Sequence, residues 1–224
     1  MCGRFVQAQN AQSYADYFGA TLAVPEELDP SWNVAPTDQV YAVAEHEGER
    51  HLGTFRWGLV PWFADSLKIG ARHINARSET VHTSRVFQDS FQRKRCLIPA
   101  DGFFEWEKLE SGDKLPHYIH SRDGAPLALA GIWASWRDPE GERITSCSIL
   151  TTKPNALVAP IHDRMPVALA RDSWSPWLDR DNDDVDSIRR LLVTPEAESM
   201  VEHTVSTLVN KVANNYPEVV SPLR

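Results

Sequence analysis

The sequence is poor in cysteine. Cys2, Cys96 and Cys147 are its three cysteines, far apart in 224 residues and without a C-x-x-C pair. That spacing suggests neither a zinc ribbon nor a disulfide framework, and free thiols fit a reducing compartment. No apolar run is long enough to span a bilayer, and the N-terminus has no apolar signal core, so no membrane partner is expected. Glycine-rich phosphate loops, HExxH and G-x-S-x-G are all missing. Asp179 to Asp184 invites a calcium reading, but Asp184 fills the loop's glycine position and Arg190 its bidentate glutamate position. No metal and no other cofactor is expected. Positive charge is short overall, at net −8, which argues against a nonspecific polycation.

What is present begins at the first residues, Met1-Cys2-Gly3-Arg4-Phe5. Removal of Met1 would give Cys2 an α-amine and a thiol on adjacent carbons. Their unperturbed pKa values are about 7.7–8.0 and about 8.5, so a useful fraction of each is reactive near neutral pH. A 1,2-aminothiol condenses with an aldehyde to an imine, and its sulfur then closes a thiazolidine ring. An internal cysteine cannot, because its nitrogen is an amide.

Along the chain, Asn10 is suited to cap a helix with Ala11, Tyr14, Ala15 and Phe18 on one face, stopped by Gly19. Residues 21–38 read as irregular, with Trp32-Asn33-Val34-Ala35-Pro36-Thr37 a turn. Val40–Ala44 and His51–Trp57 read as a hairpin around Glu47-Gly48-Glu49. Trp57-Gly58-Leu59-Val60-Pro61-Trp62-Phe63 sets three aromatics beside Gly and Pro, either as core plugs or as a stacking surface for bases. Between Arg56 and Arg95 eight basic residues face three acidic ones, a net +5 inside an acidic chain. Such a segment is either a phosphate track or a solvated face. Asn75 precedes Ala76, where a short helix is predicted, and would cap it.

Phe103 to Lys108 alternates as a strand with Phe103 and Glu105 on one face. A glutamate among apolar residues either pairs with an arginine or has a raised pKa suited to proton transfer. Further strands are predicted over His117–His120, Leu127–Ser135 and Thr145–Thr151, with Trp133 and Trp136 flanking a turn. His162, beside Asp163-Arg164, is the best-placed imidazole, with a structural role as the other possibility. Asp172 is predicted to cap a helix bearing Trp174, Trp177 and Leu178. A second helix carries Val185, Ile188, Leu191 and Leu192, and residues 201–212 alternate into one or two last strands.

Six blocks, taken together, resemble one family. They are Met1-Cys2-Gly3-Arg4-Phe5, Asn33-Val34-Ala35-Pro36-Thr37, Trp57-Gly58-Leu59-Val60-Pro61, Asn75-Ala76-Arg77-Ser78-Glu79-Thr80, Gly102-Phe103-Phe104-Glu105-Trp106 and His162-Asp163-Arg164-Met165-Pro166. In this order they resemble the SOS-response-associated peptidase-like (SRAP) proteins over nearly the whole chain. The resemblance implies a single domain over residues 1–224. Its fold would be α+β, a twisted, barrel-like antiparallel sheet with peripheral helices.

The resemblance also implies a function: sensing and shielding abasic sites in single-stranded DNA, including at single/double-strand junctions, as part of the DNA damage response. The chemistry would be autopeptidase-like removal of Met1, then lyase-like imine formation and a thiazolidine crosslink. Cys2 would be the nucleophile. Asn75 would hold the amine or sugar, Glu105 would shuttle protons, and His162 would assist at the sugar oxygen. Arg4, Arg77 and Arg85 would contact phosphates, Phe63 and Trp62 would stack on or wedge beside bases, and Asn33 and Met165 would also meet DNA. Two departures stand out: Asn210-Lys211 replaces a frequent pair of asparagines, and Ala64 stands where some members carry an aromatic. A monomer in the cytoplasm is expected, at the nucleoid in a bacterium. The rival functions are an N-terminal-cysteine amidase or peptidase and a noncatalytic single-strand-binding module.

Overall fold

The computed structural model describes residues 2–24 and 27–223. The first elements are β1 (Arg4–Gln7), α1 (Ala11–Phe18), β2 (Thr21–Leu22), β3 (Ser31–Val34), β4 (Gln39–His46) and β5 (Glu49–Trp57). Then come β6 (Asn75–Arg77), α2 (Gln88–Arg93), β7 (Arg95–Ala100), β8 (Gly102–Lys108) and β9 (Lys114–Ser121). The chain continues through β10 (Leu127–Arg137), β11 (Arg143–Thr152), β12 (Met165–Pro166), α3 (Trp174–Leu178), α4 (Val185–Arg190) and β13 (Met200–Thr204). No helix among the described residues is long and apolar enough to cross a membrane.

The fold is α+β around a closed barrel. β4 pairs with β5 and β7, β7 with β10, and β10 with β11, all antiparallel. β5 and β11 then close the ring as a parallel pair, Ser146 opposite Arg56 and Cys147 opposite Trp57. The antiparallel expectation therefore holds for every barrel seam but one. β2 and β6 also join in parallel, on β5 and β11 respectively.

A second antiparallel sheet runs β13-β9-β8-β1-β3. Its Phe5, Phe103 and Ile119 share one core with Trp57, Ile98, Cys147 and Ile149 of the barrel. Phe5 meets Trp57 edge-on, ring centres 4.9 Å apart. Each large side chain fully buried here stabilises the fold by about 1.5–3 kcal/mol. The helices lie outside the barrel in another cluster, where Phe18 of α1 packs on Trp174 of α3 at 4.7 Å.

Helix α1 follows its sequence. Asn10 Oδ1 accepts from the Ser13 N–H at 2.8 Å, and Gly19 ends the helix at φ 61°. The β4–β5 hairpin turns where Glu47 and Gly48 both take positive φ.

Other elements differ from expectation. Trp32 and Asn33 belong to strand β3, because Phe5 offers Val34 an antiparallel partner. Asn75 starts a strand rather than capping a helix, because β11 offers its edge to residues 75–77. Trp133 and Trp136 lie within β10, and the turn follows at 138–142. Asp172 caps nothing: a short 3-10 turn over Arg171–Ser173 leads into α3, and its N-cap is Ala170. The tail does give one strand, β13, of the one or two expected, and Thr207–Asn210 then winds into a 3-10 turn.

Candidate active site

Strands β1 and β8 run antiparallel, Arg4 opposite Phe104 and Phe5 opposite Phe103. This register carries the first residues of the chain alongside Glu105. β8 alternates as its sequence suggests. Phe103 joins the barrel core, while Phe104 and Trp106 pack in a separate cluster on the far face.

Cys2 is fully buried. Its main-chain carbonyl accepts a hydrogen bond from Asn75 Nδ2 at 2.7 Å. Asn75, the first residue of β6, lies opposite Ile149 of β11, with Ala76 turned into the core. The other amide atom, Asn75 Oδ1, is buried and has no hydrogen-bond partner among the described residues. A buried acceptor left in this way is costly unless a donor joins it. Burial, and next the charge of Glu105, pushes the Cys2 thiol well above its ordinary range. With Met1 still in place the sulfur is therefore a protonated thiol at neutral pH. Met1 lies outside the described residues.

Glu105 is 1% exposed, and burial pushes its carboxyl up to about 7. His162 Nε2 stands 4.0 Å from Glu105 Oε2. The Arg164 N–H donates to His162 Nδ1 at 3.0 Å. An N–H only donates, so Nδ1 holds the lone pair and the neutral ring carries its proton on Nε2, on the side of Glu105. The exposed Asp163 lies beside the same Nδ1, at 3.0 Å. Burial lowers the His162 pKa from its ordinary value.

Arg164 locks this loop. It is bonded to both Glu79 oxygens, at 2.7 and 2.9 Å, and to the Thr151 carbonyl at 2.6 Å. The fork ties the loop after β6, the end of β11 and the His162 loop together. Sequence reasoning gave Arg164 and Glu79 no role. The one signal was opposite charges in two separated blocks, and nothing in the sequence pairs them.

The expected DNA contacts divide into two groups. Arg4, Asn33 and Met165 are engaged within the protein. Arg4 donates to Asn33 Oδ1 at 2.7 Å and to the Val209 carbonyl at 2.9 Å. Asn33, 2% exposed, donates to the carbonyls of Val209, Lys211 and Asn214. At Lys211 it is thus the main chain that is held, which leaves the side chain at that position out of the contact. Met165 is buried, its sulfur accepting from the Asn155 N–H.

Arg77, Arg85, Trp62 and Phe63 face solvent. Trp62 is 67% exposed and stands edge-on to Phe63. The Arg85 guanidinium lies 5.3 Å over the Phe63 ring. Among the described residues no group of three His, Cys, Asp or Glu side chains is placed to hold a metal ion.

The chain as a whole matches known proteins. The family model for SOS response associated peptidase (SRAP) matches residues 1–212, and the chain belongs to that family. It is 40% identical over 221 residues to the abasic site processing protein YoqW of Bacillus subtilis, covering 98% of this chain and 99% of that one. It is 31% identical to the abasic site processing protein YedK of Escherichia coli, with both chains fully covered. A crystal structure of a Bacteroides thetaiotaomicron protein superposes over the full length of both chains, with a TM-score of 0.91 and 27% identity.

Proposed function

We propose that this protein processes abasic sites in single-stranded DNA by forming a covalent thiazolidine crosslink through Cys2. The observation that carries the proposal is the seat around residue 2. Asn75 holds the Cys2 carbonyl, and a buried glutamate at about 7 stands 4.0 Å from an imidazole proton donor. The names of the relatives point the same way.

In the proposed sequence, Met1 is first removed, freeing the Cys2 amine. Asn75 Oδ1 accepts a hydrogen bond from that amine. An abasic sugar is mostly a closed hemiacetal. Glu105 takes the proton of the anomeric hydroxyl as the ring C–O bond breaks, the His162 Nε2 proton passes to the freed ring oxygen, and Glu105 returns a proton to His162, which exposes the aldehyde. The amine adds to the carbonyl carbon, Glu105 protonates the departing hydroxyl, and water leaves to give the imine. The thiol then adds across the C=N bond: sulfur bonds to carbon, and the thiol proton passes by way of Glu105 to nitrogen. A group poised near pH 7 serves both the donating and the accepting step. Arg77 and Arg85 neutralise phosphates, and Phe63 and Trp62 stack against bases.

Intact mass after incubation with abasic single-stranded DNA tests this. The expected result is an adduct of the chain lacking Met1 with the oligonucleotide, minus one water. No adduct, or an adduct retaining Met1, would overturn it.

A further inference from the structure

Between Gly58 and His73 the chain leaves the barrel and returns to its own starting point. The Leu59 N–H donates to the His73 carbonyl at 3.1 Å, and the His73 N–H to the Gly70 carbonyl at 2.8 Å. At this neck two glycines touch. A Cβ on Gly70 would sit 2.4 Å from the Gly58 oxygen, and one on Gly58 would sit 2.7 Å from the Gly70 oxygen. Trp136 anchors the far side by donating to the Ala64 carbonyl at 2.7 Å. The loop is thus built from within, and with Val86 it lines an open cavity of about 600 Å³.

The lining has three parts. Phe63, Ile69 and Val86 make it apolar. Lys68 and Arg72 stand exposed at its edge, against one acid, Asp65. His73 supplies a polar atom of defined character. Its Nδ1 lies 3.2 Å from the Leu59 carbonyl, which only accepts, so Nδ1 carries the proton. Burial lowers the pKa of this ring and keeps it neutral. Its Nε2 is therefore an acceptor. The ring is held edge-on by Phe87 at 5.6 Å.

We propose that this cavity binds the base of the nucleotide adjoining the abasic site, with Phe63 stacking on it, His73 Nε2 accepting from its amino group, and Lys68 and Arg72 on its phosphate. The inference rests on the function proposed above and names a neighbour of that site. His73 lies two residues before Asn75, so their backbones are within ~7 Å. The pocket is thus close to the place where the abasic sugar would react. An aromatic face, a single acceptor and flanking cations suit a nucleobase carrying an exocyclic amine, such as cytosine or adenine. A lipid tail would leave His73 and the cations unanswered.

The test uses abasic single-stranded oligonucleotides in which each nucleotide next to the lesion is cytosine, thymine or a baseless spacer. Initial crosslinking rates are measured with protein below saturation. On one side of the lesion, replacing cytosine by the spacer should slow crosslinking about tenfold, with thymine between the two. His73→Phe should keep the base-over-spacer preference and bring cytosine and thymine to equal rates. Lys68→Ala with Arg72→Ala should flatten the salt dependence of binding to intact single strands by at most about two units of slope. Equal rates for base and spacer on both sides, with adduct formation intact, would overturn the pocket and leave the proposed function standing. Absence of adduct on every substrate would remove the proposed function itself.

Discussion

Glu105 Oε2 and His162 Nε2 stand 4.0 Å apart, the glutamate buried and the histidine about one quarter exposed. Burial drives them in opposite directions, the carboxyl up to about 7 and the imidazole below its ordinary value. Near neutral pH the carboxyl is shared between acid and base, and the imidazole is neutral. Crosslinking should therefore follow a bell-shaped pH profile, with limbs that belong to the coupled set, the Cys2 amine and thiol included. Glu105→Gln should slow crosslinking by roughly ten- to ten-thousand-fold while leaving affinity for intact single strands near wild type. Wild-type rates in this variant would remove Glu105 from the chemistry.

The same carboxyl predicts a stability change. Its folded pKa lies above the unfolded value of about 4.3, so the folded chain binds more protons between the two. The stability contributed by Glu105 should fall as pH rises from about 4.5 to about 7. His162 acts in the other direction: its depressed pKa costs stability as pH falls below about 6.5. Glu105→Gln removes only the first effect. Denaturant unfolding should show its stability relative to wild type rising by ~3 kcal/mol between pH 4 and pH 8. A constant difference across that range would contradict the raised pKa.

His162→Ala should act chiefly on sugar opening. Its deficit on abasic DNA should shrink with a simple open-chain aldehyde, read as thiazolidine formation by mass. Equal losses on both substrates would exclude it from that step.

Arg164 and Glu79 are coupled by two hydrogen bonds, and Arg164 holds the Glu79 carboxyl below its usual range. The stability this adds is present above the ordinary carboxylate range and is lost as pH falls through the lowered value. Arg164→Ala should destabilise by about 1–3 kcal/mol, since it also abandons the Thr151 carbonyl. A double-mutant cycle with Glu79→Ala should give a nonzero coupling that fades in acid. Additive losses at pH 7 would show that the fork is energetically idle.

Arg77→Ala with Arg85→Ala should weaken single-strand binding and flatten its salt slope by at most about two units. Arg4→Ala should instead lower stability, because its guanidinium is bonded to Asn33 and the Val209 carbonyl. Titrations at several salt concentrations, alongside melting curves, separate the two classes. An unchanged slope in the double variant would make the basic segment a solvated face.

Much of this was legible because it is local. The Asn10 cap and Gly19 stop delimit α1 in sequence terms alone, and the alternation of Phe103 to Trp106 turns Glu105 inward and announces its raised pKa. What could not be read depends on partners distant in sequence. Asn75 looked like a cap because β11, some seventy residues on, is invisible from its neighbours. The parallel seam of β5 with β11 leaves no periodic trace either. Asn33 carries the composition of a turn, and only the C-terminal carbonyls around it make it a buried strand residue. The burial that raises the Cys2 thiol is hidden for the same reason, since a reference pKa contains no barrel.

The bond from Asn75 reaches the carbonyl of Cys2, a group every amino acid carries. The seat therefore fixes a location and is blind to the side chain placed there. Holding and reacting are separate properties of one residue, and they are separable by substitution. Cys2→Ser should be seated as the wild type is, and should still form an imine that borohydride traps. It should lack only the sulfur that makes the adduct permanent. In engineering terms residue 2 is a socket, and under the proposed chemistry the lifetime of the DNA adduct is set by what is plugged into it.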